Sequence, residues 1–270
     1  ISKVLNYIID TQDEYDFFVV AGDNYYPNKQ KNYSLQNDKF IKGNGKEKLY
    51  LYSKTNHKKG INALGLLNKD VYLILGNHEI EPVDRLVLKN NINNTILKSN
   101  IQDNTAMILR NQLKYIRELP NIKFNEVYKR VNEHTCIFFL NSMFFTQDFE
   151  KVAKNCTNLL NNRKLSKEDL IKKEKNRLLS VFNMIQTDSI KNIIIIGHEP
   201  IIEHVGKKYP KQLFTSEGID LLIELYSRFV NKNYYYFCAD VHMYQKSYIT
   251  ITNHKNAVYL TQIISGTGGA

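Results

Sequence analysis

Four short apolar stretches of the sequence each run into residues that can bind a metal ion or carry a proton. Unbroken runs of β-forming residues followed by Gly, Asn or Pro predict buried strands that end in loops. The carboxyl ends of parallel strands meet at the edge of an α/β sheet where ligands bind, so we expect these polar residues to lie together. The stretches and the residues that follow them are Phe17–Ala21 with Asp23 and Tyr26, Val71–Leu75 with Asn77 and His78, Ile193–Ile196 with His198, and Tyr234–Cys238 with Asp240 and His242.

The candidate metal ligands among them offer oxygen and nitrogen donors and no thiolate. Such a set suits hard or borderline ions such as Fe, Mn or Zn. Two ions ~3.5–4 Å apart can share one carboxylate, hold a phosphate between them and acidify a water at neutral pH, and Asp23 is placed to be that carboxylate. The predicted ligands are Asp23, Tyr26, Asn77, His198, Asp240 and His242.

The elements that must position these residues alternate between strands and helices. Apolar residues at helical spacing predict helices over Ser2–Asp10, from Ser166 through Ile185, and over Gly218–Val230. Alternating patterns predict a strand pair, Val127–Val131 with Thr135–Leu140, and a closing hairpin, Ser247–Thr252 with Ala257–Ile264. This order predicts an α/β fold with an antiparallel finish.

Two long polar segments separate these elements. Pro27–Lys69 is expected to be a surface excursion with one helix, and Glu81–Leu113 to be weakly helical, with its best helical pattern at Thr105–Leu109. Three histidines in polar stretches are expected to be exposed. They are His57, His134 and His254.

Length and composition favour one sizeable domain over residues 1–270. The chain is 43% hydrophobic, and its longest apolar run is far short of the ~20 residues of a membrane span. The odd count of three cysteines, Cys136, Cys156 and Cys238, argues against a disulfide framework and favours a reducing, intracellular compartment. A leader upstream of Ile1 remains an open alternative, so the localisation is left undetermined.

The formal charge of +10 favours anionic partners, and phosphate-bearing substrates suit it. The basic residues are dispersed along the chain, and no clear tract of alternating aromatic and basic residues predicts nucleic-acid binding.

Three motifs make the chain resemble the calcineurin-like metallophosphoesterases and, within them, the purple (tartrate-resistant) acid phosphatases. Gly22-Asp23-Asn24-Tyr25-Tyr26 matches Gly-Asp-x-x-Tyr, Gly76-Asn77-His78-Glu79 matches Gly-Asn-His-Asp/Glu, and Ile195-Ile196-Gly197-His198 matches x-x-x-His. Ile264-Ser265-Gly266-Thr267-Gly268 also resembles the Ser-Gly-rich segment after the last metal motif. The resemblance implies a layered sandwich of two mixed β-sheets flanked by helices.

The resemblance also implies roles for single residues and a pair of metal ions, Fe with Fe, Zn or Mn. Tyr26 and His242 would bind the first ion, a ferric iron with a tyrosinate ligand. Asn77 and His198 would bind the second ion, and Asp23 would bridge the two. His78 would contact the phosphate or protonate the leaving oxygen. His204 would be an additional substrate-side histidine, or else a surface loop residue.

The sequence departs from the family pattern in two places. The opening strand with Asp-x-Gly or Asp-x-His is absent, so the domain is expected to be truncated at both ends. The usual Gly-His-x-His is Ala239-Asp240-Val241-His242, so a carboxylate stands in place of an imidazole. Either Asp240 ligates a harder ion such as Mn or Mg, or the second metal site is weakened.

The resulting functional prediction is hydrolysis of phosphate monoesters, with a metal-bound hydroxide as nucleophile and a phosphorylated small molecule or phosphoprotein as substrate. Two alternatives stay open. One is phosphodiester or nucleotide hydrolysis by a Mn-type enzyme of the same superfamily, and the other is a non-catalytic scaffold with a degenerate metal site.

Overall fold

The structure is a computed structural model that describes most of the chain, and every structural statement below refers to the described residues. These are residues 2–22, 28–36, 39–42, 47–52, 54–76, 86–88, 95–97, 111–124, 126–146, 167–185, 189–203, 210–229, 231–241 and 243–266.

Within the described residues, groups of three or four strands separate the helices, so the α/β class is as predicted although single helices and strands do not alternate. The helices are α1 Ser2–Thr11, α2 Lys54–Leu64, α3 at residues 111–116, α4 Lys167–Phe182 and α5 Ser216–Ser227, with 3-10 turns at Gln12–Glu14 and Ser142–Phe145. The strands are β1 Phe17–Ala21, β2 Asn28–Gln36, β3 Lys39–Lys42, β4 Glu47–Tyr52, β5 Asp70–Ile74, β6 Leu86–Leu88, β7 Thr95–Leu97, β8 Ile122–Phe124, β9 Tyr128–Asn132, β10 Thr135–Phe139, β11 Asn192–Ile196, β12 Ile202–Glu203, β13 Lys211–Gln212, β14 Asn233–Cys238, β15 Tyr244–Thr252 and β16 Ala257–Ser265.

Two facing sheets form the centre of the fold. The smaller has the order β1-β5-β8, with all three strands parallel. The larger has the order β15-β16-β14-β11-β10-β9 and is mixed, because β9 and β15 run antiparallel to their neighbours. Tyr72 of β5 stacks on Phe139 of β10 with ring centroids 5.0 Å apart, and Ile74 and Ile137 belong to the same buried cluster. The two sheets therefore share an apolar interior.

Helices cover the outer face of each sheet. On the large sheet, Phe138 of β10 stacks on Phe182 of α4 at 3.9 Å, and Leu222 of α5 is fully buried. On the small sheet, Val71 of β5 lies in a buried cluster with Ile61 of α2 and Ile116 of α3. Full burial of such side chains contributes about 1.5–3 kcal/mol each. The result is a helix–sheet–sheet–helix sandwich, which confirms the predicted fold class.

Local sequence signals account for the helix after β13. Thr215 is the N-cap of α5, and its side chain accepts a hydrogen bond from the Gly218 amide at 3.4 Å. Apolar residues at helical spacing, including Ile219 and Leu222, then face the large sheet and are buried. The prediction of a helix over Gly218–Val230 is confirmed, with its start two residues earlier.

The polar segment Pro27–Lys69 contains more regular structure than predicted. Besides α2, it contributes β2, β3 and β4, which join β6 and β7 in a sheet of order β6-β4-β2-β3-β7. The sequence pattern missed β2 because seven of its nine residues are polar, and Asn and Lys, which recur in it, are depleted in strands. The predicted helical pattern at Thr105–Leu109 lies outside the described residues.

One expected surface histidine is buried. His57 of α2 is 1% exposed, and its ring meets Tyr115 of α3 edge-on at 5.5 Å. The prediction of exposure is wrong because it weighed the polar neighbours of His57 in sequence, whereas α2 turns this position toward α3. His254 is exposed and His134 lies partly exposed, as predicted.

Two further expectations concern the cysteines and membrane spans. Cys136 and Cys238 are free and buried, and Cys156 lies outside the described residues. Among the described helices, none has the length and apolar character to cross a membrane.

Candidate functional site

The strand ends that the sequence singled out meet at one edge of the two sheets. In the small sheet Ala21 is paired with Ile74, so β1 and β5 end at the same level. In the large sheet Ile196 is paired with Phe237, so β11 and β14 also end together. The Ala21 carbonyl lies 2.6 Å from Nδ1 of His198, which follows β11. This contact joins the carboxyl-end edges of the two sheets.

Two glycines allow this close approach. Gly22 has a φ of +88°, a left-handed conformation that disfavours any side chain. A Cβ atom built on it would lie 2.4 Å from Nδ1 of His198 and 2.6 Å from Cα of Gly76. The backbone after β1, the backbone after β5 and the His198 ring are therefore in direct contact. Asp23 and Asn77 are the next residues in sequence after these two glycines.

The contact with Ala21 fixes the tautomer of His198. A carbonyl oxygen can only accept, so Nδ1 must carry the proton that it donates to Ala21. Nε2 is then the atom available to a metal ion, and a histidine whose other ring nitrogen donates to a backbone carbonyl is the usual arrangement of a metal ligand. The ring is 1% exposed, so burial and the hydrogen bond together hold its orientation.

Asp240 faces the other nitrogen of the same ring. Its Oδ1 lies 3.4 Å from Nε2 of His198, and its side chain is 29% exposed. Both atoms present lone pairs when the imidazole is neutral, and a positive charge between them would attract both. A proton on Nε2 supplies this positive charge, and a metal cation can supply it instead. This pair of nitrogen and oxygen donors fits the hard or borderline ions that the sequence predicts.

A neighbouring thiol does not change that donor set. Burial, with the nearby Asp240 carboxylate, raises the pKa of the Cys238 thiol above its ordinary value. The Cys238 thiol donates to the Ile263 carbonyl, 3.7 Å away, and lies in the core of the large sheet.

The turn that carries His198 is held by Ser142 and Tyr236. The Ser142 hydroxyl oxygen accepts hydrogen bonds from the amides of His198 at 2.9 Å and Glu199 at 3.1 Å. The Tyr236 hydroxyl donates to the Glu199 carbonyl at 2.7 Å. Burial raises the pKa of Tyr236 well above its ordinary value, so this hydroxyl remains a donor. Gly197 leaves no room for a side chain, since a Cβ would lie 2.3 Å from the Tyr236 oxygen.

A buried ion pair supports Ser142 from behind. Glu174 of α4 is 3% exposed and accepts hydrogen bonds from the amide of Asn141 at 2.9 Å and from its side chain at 3.1 Å. Nε of Arg177 donates to the same carboxylate at 2.8 Å, and Nη2 of Arg177 donates to the Phe139 carbonyl at 2.8 Å. These bonds fix the end of β10 against α4 and so fix the residue that orients the His198 turn.

The segment after β16 closes another side of the site. Gly266 donates its amide proton to the Met243 carbonyl at 3.1 Å. A Cβ on Gly266 would lie 1.9 Å from the Val241 carbonyl oxygen and 2.5 Å from that of Ala239. The Ser-Gly-rich segment therefore packs directly on the residues that flank Asp240, where only glycine fits.

The structure places two of the sequence-predicted site residues, and it brings them together: His198 and Asp240. The others lie outside the described residues, and their roles stay predictions. They are Asp23, Tyr26, Asn77, His78, His204 and His242. Within the described residues alone, no group of three or more His, Cys, Asp or Glu side chains is assembled as a metal site.

Sequence reasoning missed the residues that support the site. Asn141 and Ser142 stand out in the sequence only as a polar pair after a strand, and Tyr236 only as one of three consecutive tyrosines. Glu174 lies within a lysine-rich stretch that reads as a solvated helix face. The polar pair at a strand end was the one usable signal, because such residues face the same edge as the ligands.

Comparison with known proteins bears on the family and the fold of the chain. The sequence profile described as calcineurin-like phosphoesterase matches residues 1–244. No curated protein matches the sequence. Among solved structures, one titled "Structure of PhoD" superposes with a TM-score of 0.52 at 11% identity, covering 98% of this chain and 53% of its own. The chain thus spans about half the length of that protein, and the likeness concerns the fold alone. A second solved structure reaches a TM-score of 0.39 at 11% identity, covering 79% of this chain and 64% of its own, which is too low to support an argument.

The profile match spans most of the sequence and includes the ends of β1, β5, β11 and β14. These are the strands whose ends meet at His198 and Asp240. The chain belongs to the calcineurin-like phosphoesterase family.

Proposed function

We propose that the chain hydrolyses phosphate monoesters at the edge where the two sheets meet, with two metal ions as cofactors. The observation that carries the proposal is the His198 ring, which is buried, fixed by Ala21 through Nδ1 and turned toward Asp240 through Nε2. A nitrogen donor and an oxygen donor that face each other 3.4 Å apart form an arrangement that supports binding of a cation. The positive formal charge of the chain suits an anionic substrate.

His198 and Asp240 would hold one metal ion. The sequence assigns the remaining ligands to Asp23, Tyr26, Asn77 and His242, which follow or adjoin described residues of the same edge. Two ions bound there, Fe with Fe, Zn or Mn, would neutralise the phosphate and lower the pKa of a water molecule.

Residues of the chain itself would donate the proton, contact the substrate and orient the site. His78, next to Asn77, would protonate the departing alcohol, since an imidazole titrates near neutral pH. His204 would contact the substrate phosphate. Ser142 would keep the His198 turn in place throughout the reaction.

Phosphodiester hydrolysis is the second candidate, and Asp240 is the feature that favours it. A carboxylate in place of an imidazole suits Mn better than Zn. Comparing para-nitrophenyl phosphate with the bis-para-nitrophenyl diester under Fe, Zn and Mn loading separates the two candidates. A higher kcat/KM for the monoester supports the proposal, and a higher value for the diester supports the alternative.

The direct test pairs His198→Asn with the exposed control His254→Gln. His198→Asn is expected to lose bound metal, measured by elemental analysis, and to lose about 100-fold or more in kcat/KM, whereas the control keeps both. A wild-type protein that binds less than one equivalent of metal after reconstitution would instead identify a non-catalytic scaffold.

A further inference from the structure

The hairpin of β15 and β16 exposes an unusual number of tyrosines on one face. Tyr244, Tyr248 and Tyr259 are 66%, 80% and 74% exposed. Tyr248 is paired with Thr261 and Thr250 with Tyr259, so Tyr248 and Tyr259 are diagonal neighbours on the same side of the sheet. The Lys246 ammonium lies over the Tyr248 ring, 5.5 Å from its centroid. We call these four residues the tyrosine face.

The tyrosine face belongs to the side of the large sheet that the small sheet covers only in part. Phe237 of β14 packs against the inter-sheet cluster, and its partners in the same row are Ile263 and then Lys246. From the described part of the large sheet, that cluster draws on β9, β10, β11 and β14, and not on β15 or β16. The opposite side of the hairpin is buried through Ile249 and Ile251. The exposed tyrosines are therefore outside both cores, so packing does not explain them.

A cavity of about 280 Å³ lies at the amino end of β14, beside two of these tyrosines. The sheet forms its floor with Tyr235 and Thr261, and Tyr248, Tyr259 and Lys232 line it. Its volume is close to the lower end of the range for small-ligand sites, about 300–1,000 Å³. A cavity with aromatic rings and an ammonium group suits a planar ring joined to an anion.

Lysines outnumber carboxylates in the segment that forms this surface. Between residues 231 and 266 the sequence contains three lysines and a single carboxylate, Asp240, which lies at the candidate metal site. Lys232 and Lys246 accompany the cavity and the tyrosine face. Lysine is a compact charge that binds phosphate, and tyrosine rings stack on bases of any sequence. A surface with lysines and with aromatic rings on outward positions of two neighbouring strands matches the chemistry of single-stranded nucleic acid.

The tyrosine face extends from the cavity toward the candidate metal site. Tyr248 to Tyr244 spans four residues of a strand, about 13 Å. Tyr244 is paired with Ser265, and the next residue, Gly266, packs against the flanks of Asp240. A chain lying on the tyrosine face thus runs from the cavity toward the edge that carries His198 and Asp240.

We propose that the tyrosine face and the adjoining cavity bind single-stranded nucleic acid, with bases stacked on Tyr248 and Tyr259 and phosphates beside Lys246 and Lys232. This binding surface goes beyond the proposed hydrolysis and does not require it. The sequence shows no continuous tract for this surface, because its residues alternate with buried ones and come from two strands.

The experiment measures binding of a fluorescein-labelled twelve-nucleotide oligothymidylate to the full chain by fluorescence anisotropy, in EDTA so that hydrolysis plays no part. The double variant Tyr248→Ala/Tyr259→Ala is expected to weaken binding about tenfold or more, because each stacked base is lost with its ring. Tyr248→Phe/Tyr259→Phe keeps the rings and should bind like the wild type. Lys246→Gln should weaken binding and reduce its salt dependence.

The matched control is Tyr7→Ala, which removes a 63% exposed tyrosine from α1. Equal losses in Tyr7→Ala and in the double variant would overturn the proposal, as would equal affinity for duplex DNA or no binding by the wild type at low salt. Light scattering adds one more outcome. A dimer that the double variant dissociates would make the tyrosine face an interface between copies of this chain instead.

Discussion

The Ser142 hydroxyl oxygen lies 2.9 Å from the His198 amide nitrogen, and this hydrogen bond ties the end of one strand to the turn that carries a predicted metal ligand. The same oxygen accepts from Glu199, so one buried side chain orients two consecutive peptides. Ser142 thus acts on the site through the backbone, without needing to touch a metal or substrate.

Replacing Ser142 with alanine should therefore affect both stability and the site. The variant leaves two buried amides without that acceptor, which should lower the free energy of unfolding by about 1–3 kcal/mol. Loss of orientation at His198 should weaken metal binding about 10–100-fold. Urea denaturation and titration against a chelator measure the two effects. Ser227→Ala, which removes an exposed hydroxyl at the end of α5, is the control and should change neither.

The Glu174–Arg177 pair gives a second prediction. Glu174→Gln leaves the partly buried Arg177 guanidinium without its counter-charge, so the free energy of unfolding should fall by about 3 kcal/mol or more. Glu224→Gln is the matched control, because Glu224 pairs with Lys175 and Arg228 at the surface. Glu224→Gln should lower the free energy of unfolding by no more than about 1 kcal/mol. If urea denaturation gives a similar loss in the free energy of unfolding for both variants, the buried pair contributes no more to stability than the surface pairs.

Two glycine-to-alanine substitutions should act in opposite directions. Gly22→Ala forces a side chain into a left-handed backbone and against the His198 ring, so it should destabilise the protein and release metal. Gly60 lies in α2 with no atom within 4 Å of a built Cβ, so Gly60→Ala should stabilise the helix by about 0.5–1 kcal/mol. Thermal unfolding and elemental analysis report on both variants. A Gly22→Ala protein with wild-type stability would contradict the close contact of the two sheets.

The buried His57 predicts a pH dependence of stability. Burial lowers the pKa of His57 to about 4 from an ordinary value of 6.5, although a hydrogen bond with Gln112 acts in the other direction. The unfolded chain therefore binds a proton that the folded chain does not, between these two values. Stability from this group is complete above pH 6.5 and is lost as the pH falls toward 4, by about 3 kcal/mol in all.

Urea denaturation across that pH range measures the effect. His57→Gln should lose less stability than the wild type between pH 6.5 and pH 4, because the titrating group is gone. His254→Gln, at an exposed position, should follow the wild-type curve. Parallel curves for the wild type and His57→Gln would show that His57 does not titrate with folding.

The assignment of Tyr26 has a spectroscopic test. Iron-reconstituted full-length protein should show a tyrosinate-to-ferric charge-transfer band, because a phenolate bound to Fe(III) donates charge in the visible range. Tyr26→Phe should lose the band while keeping its fold by circular dichroism. Tyr25→Phe, the adjacent position, is the control and should keep it. A band that survives Tyr26→Phe would remove the purple acid phosphatase assignment.

The sequence predicted most of the central fold because strong local patterns agree with the tertiary structure. The runs at Phe17–Ala21 and Ile193–Ile196 form strands, half-buried in the first and mostly buried in the second, and both strands end at one edge as α/β topology requires. The strands between Pro27 and Lys69 escaped prediction because their side chains carry little periodic contrast. His57 and Glu174 escaped because burial of a polar residue depends on which helix face meets the core, and polar neighbours conceal that face.

The contacts that hold His198 in place could not be predicted from the sequence, for a different reason. The contact of Ala21 with His198 joins residues 177 positions apart, and it depends on how two sheets are stacked. Motif spacing could predict that both residues lie at strand ends. It could not predict that a carbonyl would fix the ring, or that Ser142 and Tyr236 would hold the turn.

The two buried thiols described in the core have a practical consequence. Burial raises the pKa of Cys136 to about 12, and Cys136 and Cys238 lie on neighbouring parts of the large sheet, under α4 and α5. A thiol reagent can label them only when those layers separate, since the reactive thiolate is scarce and covered in the native state. The rate at which a thiol reagent labels Cys136 and Cys238 therefore reports how often the sandwich opens, and no probe has to be added to the chain.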